Sequence, residues 1–285
     1  MSDKPAQGPS RRQILRGVGA AGLGAAALAT PALTPTAQAA PTAQAAQAAQ
    51  AAVRGSGASS APQPAPGARS YDFDLDWKFA LVSTEGITDP TGAYADAYEP
   101  GFNDENWQPL DLPHDWSVHL APVSAAYTES YNGFLPGGLG WYRKTFTLPE
   151  WMTGKRISVE FDGVYSNSYV YANGTLLGNH PYAYTGFGYD ITDLVHTDGR
   201  TPNVIAVQAA NQIPSSRWYS GSGIYRNVRI VVTSPVHVAR HGTFVTTPGA
   251  AATVPEGYAA VQIQTTIHND SGDSAQATVA LRAHN

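Results

Sequence analysis

The chain contains no cysteine in 285 residues. Disulfides, thiolate metal sites and a cysteine nucleophile are therefore excluded, and folding needs no oxidising compartment. Charge is sparse, at 14% Asp, Glu, Lys and Arg, and no run of Lys or Arg follows Arg16. The sequence thus lacks the basic stripe of a nucleic-acid interface, and no DNA or RNA partner is expected. Sustained amphipathic helix is missing as well after residue 70. What is abundant is aromatic and turn-forming: 15 Tyr, 6 Trp, 28 Gly and 21 Pro favour strands joined by turns.

The first forty residues read as an address. Ser10-Arg11-Arg12-Gln13-Ile14-Leu15-Arg16 places paired arginines before an uncharged, Gly- and Ala-rich stretch that ends at the small-x-small pattern Ala37-Gln38-Ala39. This resembles a twin-arginine export signal cleaved after Ala39. It implies a secreted or extracytoplasmic protein with no membrane attachment once the signal is removed. The stretch is weakly apolar and interrupted by Pro31, so a spanning helix is not expected. Residues 41–70 are Ala, Gln, Pro, Gly and Ser with almost nothing to bury, the composition of a disordered linker.

From Tyr71 the apolar period is two. Ile157, Val159 and Phe161 alternate with Ser158, Glu160 and Asp162, which predicts a strand with one buried face. Val164 to Ala172 and Thr175 to Gly178 flank Asn173-Gly174, a type I′ hairpin signal because both turn residues need positive φ. Val204-Ile205-Ala206-Val207 and 228–232 read as further strands. Residues 71–233 are expected to form an all-β, two-sheet sandwich. After Pro235 the pattern restarts at 236–238, 258–267 and 275–281. Three strands are too few to close a sandwich, so residues 234–285 are expected to be part of a second β-domain.

Five segments, in order, resemble the amino-terminal sugar-binding domain of glycoside hydrolase family 2, in particular its β-galactosidase branch. They are Leu112-Pro113-His114-Asp115-Trp116, then 136–146 (Pro-Gly-Gly-Leu-Gly-Trp-Tyr-Arg-Lys-Thr-Phe), then Phe161-Asp162-Gly163-Val164-Tyr165, then Asn173-Gly174, and finally 216–226 (Ser-Arg-Trp-Tyr-Ser-Gly-Ser-Gly-Ile-Tyr-Arg). The resemblance implies a jelly-roll, galactose-binding-like β-sandwich followed by an incomplete immunoglobulin-like sandwich. It also implies a partner, a carboxy-terminal (β/α)₈ barrel that carries two catalytic glutamates for retaining hydrolysis. In the family the acid/base glutamate follows an asparagine, and no Asn-Glu pair occurs here. No catalytic residue is therefore expected within the chain, no cofactor is implied, and the expected ligand is a β-galactoside or another glycan. The β-glucuronidases and β-mannosidases share the same first domain, so the sugar stays open.

Arg217, Trp218 and Tyr219 precede a Gly-Ser-Gly and offer a cation and two rings to a sugar. In the family their loop lies toward the barrel's active site, which makes them candidate substrate-binding residues; the alternative is a structural ion pair and packed rings. Asn132, in Tyr131-Asn132-Gly133, is a further candidate. For His114-Asp115 a structural reading is preferred, with Asp115 bonding nearby amides and Trp116 in the core. Gly137-Gly138-Leu139-Gly140 lacks phosphate-loop spacing and is expected to be a turn leading into the Trp141 strand. His237 and His241, four apart on a strand and its end, do not make a metal pair. Ser222 has no nucleophile-elbow context. Two other classes compete with the enzyme reading: a stand-alone carbohydrate-binding module and a purely structural scaffold.

Overall fold

The computed structural model describes residues 69–125, 128, 133–215, 221–248 and 260–281. The expected signal and nearly all of the expected linker lie outside the described residues.

Twelve strands make up the described fold: β1 (Ser70–Asp72), β2 (Trp77–Ser83), β3 (Gln108–Leu110), β4 (Gly138–Phe146), β5 (Arg156–Phe161), β6 (Ser168–Ala172), β7 (Thr175–His180), β8 (Phe187–Asp190), β9 (Asn203–Asn211), β10 (Val228–Thr233), β11 (Val236–Thr246) and β12 (Gln262–Asn269). A six-stranded sheet runs β3-β2-β4-β9-β6-β7 and a four-stranded sheet runs β1-β10-β5-β8. Every named pairing is antiparallel, so the expected all-β architecture is what forms.

Strand β5 shows how the sequence selects its face. Ile157, Val159 and Phe161 are sealed in the core, while Glu160 on the opposite face meets Arg240 Nε of β11 at 3.2 Å. Period two places all three apolar side chains on one side, and burying each stabilises the fold by about 2 kcal/mol. Trp77, Tyr142, Ile205, Val207 and Ile224 meet them in the same cluster. At the β6–β7 hairpin Asn173 and Gly174 have φ of 45° and 85°, the left-handed pair that a type I′ turn requires.

Strands β4 and β9 are buried on both faces. The cover on their outer side comes from the segment between β2 and β3, where Ala97 and Trp107 pack with Trp141 and Ala206. Arg143, almost completely buried on β4, fixes that segment. Its Nε donates to Asp104 Oδ2 at 2.8 Å, and its Nη1 donates to the carbonyls of Ala97 at 2.5 Å and Glu99 at 3.0 Å. A buried guanidinium is tolerable only with such a full set of acceptors.

Three local expectations need correction. The glycine-rich 137–140 segment is not a turn before the Trp141 strand, because Gly138 and Gly140 already belong to β4. Gly138, at φ 113°, lies where a Cβ would overlap the Ser83 carbonyl, and a Cβ on Gly140 would stand 2.7 Å from the Phe79 ring. The glycines are what lets this strand run so close to its neighbours. The strand expected from Val164 starts only at Ser168, because Tyr165 exchanges backbone hydrogen bonds with Gly223 at 2.8 and 2.7 Å and is drawn out of the sheet. Finally, 275–281 pairs with no described strand, while β11 and β12 form a two-stranded sheet with an irregularity between Val238 and Thr243. Phe244, Val245 and Ile263 of that hairpin are exposed. Arg69 Nη2, donating to the Val238 carbonyl at 2.8 Å, helps tie the hairpin to the sandwich.

Candidate functional site

Two segments distant in sequence, 112–117 and 221–224, are laced together at one place in the sandwich. His114 N–H donates to the Ile224 carbonyl at 2.8 Å, and Trp116 N–H donates to the Ser222 carbonyl at 3.1 Å. Asp115 Oδ1 accepts two backbone N–H groups, from Ser117 and Ser222, both at 3.0 Å. The Ser222 hydroxyl, fully buried, meets the Ser117 hydroxyl at 2.6 Å and accepts from Asn211 Nδ2 at 2.8 Å. Asn211 is the last residue of β9 and also donates to the Gly221 carbonyl at 3.1 Å.

The lacing has a clear geometric result. The chain that follows segment 216–220 is held twice, by Asn211 through the Gly221 carbonyl and the Ser222 hydroxyl and by Asp115 through the Ser222 N–H. Gly223 makes the close approach possible: at φ 111° it occupies a left-handed region, and a Cβ there would overlap the Tyr142 hydroxyl. The three cis peptide bonds, Leu112–Pro113, Tyr165–Ser166 and Ile213–Pro214, all border this region.

Tyr142 is fully buried and its hydroxyl lies 2.8 Å from His114 Nδ1. Burial, aided by the nearby His119, pushes the His114 imidazole down to about 4. Burial is also the main reason that Tyr142 is raised well above its ordinary value. His114 is therefore neutral across the physiological range and serves the frame as a hydrogen-bonding partner. Its folded pKa lies below the unfolded value of about 6.5. The unfolded chain gains a proton that the fold refuses as pH drops, so stability is complete above about 6.5 and is lost down to about 4, by on the order of 3 kcal/mol. Urea midpoints between pH 7 and pH 4 should fall more steeply for the parent than for His114→Gln. Parallel curves would contradict this assignment.

Beside the frame, exposed Tyr182 and Tyr184 stand with ring centroids 5.7 Å apart, and Tyr184 lies 5.8 Å from Tyr165. The Tyr225 hydroxyl fastens their loop by donating to the Ala183 carbonyl at 2.9 Å. Exposed aromatic faces of this kind suit the C–H side of a polyol. Among the described residues no group of three His or acidic side chains is placed to hold a metal ion, and no helix is long and apolar enough to cross a membrane.

Arg217, Trp218, Tyr219 and Asn132 lie outside the described residues. The structure does bring together the flanks of the 216–220 segment. Asp115 bonds backbone amides and Trp116 is buried, with its indole N–H donating to the Gly137 carbonyl at 2.9 Å. Sequence reasoning weighed Ser222 only as a nucleophile and missed its role as a buried cross-brace. It also missed Asn211, Tyr142 and Gly223. The Gly-Ser-Gly string is the one local signal from which the close backbone approach at Gly223 could have been read.

The family model for the sugar binding domain of glycosyl hydrolases family 2 matches residues 74–235. The chain belongs to glycoside hydrolase family 2. It is 44% identical over 222 residues to a β-galactosidase of Bacteroides ovatus, covering 78% of this chain and 24% of the relative. Among solved structures it is similar to a family 2 member from Bacteroides cellulosilyticus, with TM-score 0.61, 35% identity, and coverage of 73% of this chain and 26% of the other. A β-glucuronidase of Bacteroides uniformis is also similar, with TM-score 0.56, 29% identity, and coverage of 71% and 22%. The chain thus spans about a quarter of the length of the family 2 proteins it matches.

Proposed function

We propose that this chain is the amino-terminal, non-catalytic part of an exported, retaining family 2 β-galactosidase. The observation that carries the substrate assignment is the 44% identity to the B. ovatus β-galactosidase over 222 residues. Retaining hydrolysis needs an acid/base carboxyl and a nucleophilic carboxylate roughly 5 Å apart. In this reading both are supplied by a barrel encoded outside these residues. The chain's own part is to bind and orient: Arg217 donates to sugar hydroxyls, Trp218 and Tyr219 offer ring faces to the sugar's C–H side, and Asn132 is a further sugar-binding residue. Residues 234–285 form the start of an immunoglobulin-like domain that leads to the barrel. The twin-arginine pattern at Ser10–Arg16 supports export.

The test is a substrate panel on the complete enzyme: 4-nitrophenyl β-D-galactoside, β-D-glucuronide and β-D-mannoside. The galactoside should have the highest kcat/KM by about 100-fold, a difference of ~3 kcal/mol in transition-state binding, with the anomeric configuration retained. Preference for the glucuronide would move the assignment to that branch, with Arg217 pairing the sugar carboxylate. No hydrolysis of any of the three would leave a carbohydrate-binding or scaffolding role.

A further inference from the structure

On the outer side of the six-stranded sheet, Ala80 of β2 and the segment between β2 and β3 enclose an open hollow of about 380 Å³. That is toward the small end of cavities that hold small molecules, ~300–1,000 Å³. Four of its lining residues are aromatic, Phe79, Tyr94, Phe102 and Trp107. Tyr94, Phe102 and Trp107 form a triangle with ring centroids 5.9, 5.7 and 6.5 Å apart. Asn103 and Asn106 supply its amide side chains, and none of the nine lining residues carries a charge.

The polar groups of this hollow are incompletely used. Asn103 Oδ1 accepts from the Glu105 N–H at 2.9 Å, which leaves its NH₂ as a donor. The Asn106 side chain has no hydrogen-bond partner among the described residues. Trp107 is 9% exposed, and its indole N–H has no acceptor there either. Among the described residues the one side-chain nitrogen or oxygen both sealed from solvent and without a hydrogen bond is Arg156 Nε, so the Trp107 N–H is reached from outside. By contrast, the indole N–H groups of Trp77 and Trp116 both donate to backbone carbonyls inside the fold.

The walls are also held in place before any ligand arrives. Arg143 bonds the carbonyls of Ala97 and Glu99 and the Asp104 carboxylate, its guanidinium carbon stands 5.6 Å from the Phe102 ring centre, and Lys78 Nζ reaches Asp104 at 2.6 Å. A preformed site avoids the ordering cost that a flexible loop would incur on binding.

We infer that this hollow is a second carbohydrate-binding site, for a neutral saccharide, separate from the frame around Asp115. An aromatic face takes the C–H side of a pyranose, while open amide and indole donors take its hydroxyls. The uncharged lining disfavours a sugar acid, whose carboxylate would lose water without gaining a cation. The inference stands whether or not the whole enzyme prefers galactosides.

The test titrates the 285-residue chain with lactose, cellobiose and mannobiose, and with glucuronate as the charged control, followed by calorimetry and ligand-observed NMR. At least one neutral disaccharide should saturate with Kd of about 1 mM. Ala93→Trp, which fills the hollow from an exposed position, and Asn106→Ala should each weaken that binding about tenfold or more without moving the thermal midpoint. Leu176→Ala, at an exposed position that does not line the hollow, is the control and should leave it unchanged. No saturation by any neutral disaccharide up to about 50 mM would overturn the inference. So would binding that survives Ala93→Trp, or tighter binding of glucuronate.

Discussion

Gly223→Ala should lower the unfolding free energy by about 4 kcal/mol, the sum of a left-handed backbone penalty and an overpacked core. Gly223 has φ 111°, and its missing Cβ is where the hydroxyl of fully buried Tyr142 sits. Tyr142 has no room to yield, because its ring packs on Phe79 at 4.8 Å and its hydroxyl is engaged by His114. For a folded region of this size the loss corresponds to a thermal midpoint roughly 10 °C lower. Gly86, with no positive φ and open space around its Cβ direction, is the internal control and should tolerate alanine within about 0.5 kcal/mol. Equal midpoints for Gly223→Ala and the parent would show that the 221–224 segment is free to move away from β4.

Asp115→Ala should reduce kcat/KM of the complete enzyme about 100-fold while leaving it folded at the assay temperature. Asp115 touches no reacting atom in this account and is a positioning residue. Its Oδ1 holds the amides of Ser117 and Ser222, and through Ser222 it holds one end of the 216–220 segment. Charge-assisted bonds of this kind contribute about 1.5–3 kcal/mol each, and a loop released by even part of that sum no longer presents its side chains in one place. Asp115→Asn keeps a carbonyl oxygen for both amides and should stay within about tenfold of the parent. A purely structural role would move the thermal midpoint alone, with kcat/KM of the folded fraction unchanged for both variants.

Much of the fold was legible because burial imposes period two. β5 and the Asn173-Gly174 hairpin follow directly from alternation and from the need for positive φ at both turn residues. The glycines of β4 were misread as a turn, since single-sequence reasoning cannot see that Ser83 and Phe79 press on the strand from outside its own segment. The same limit hid the departure of 164–167 from the sheet, which is set by pairing with Gly223 almost sixty residues later. At the site, the family motifs pointed to 112–116 and 216–226 but not to their mutual lacing. Hydrogen bonds such as Asp115 to Ser222, more than one hundred residues apart, leave no local pattern. The hollow beneath Tyr94 and Trp107 had no sequence signal at all, because it depends on the small side chains of Ala80 and Ala93 standing beside aromatic neighbours.

The measurement that tests the central claim most directly is the kcat/KM of Arg217→Ala in the complete enzyme with 4-nitrophenyl β-D-galactoside. If segment 216–220, whose carboxy-terminal flank Asn211 and Asp115 hold, forms part of the sugar site, the value should fall by about 100-fold or more at an unchanged thermal midpoint. If turnover equals that of the parent, the segment does not face the sugar and the sandwich acts only as a scaffold for the barrel.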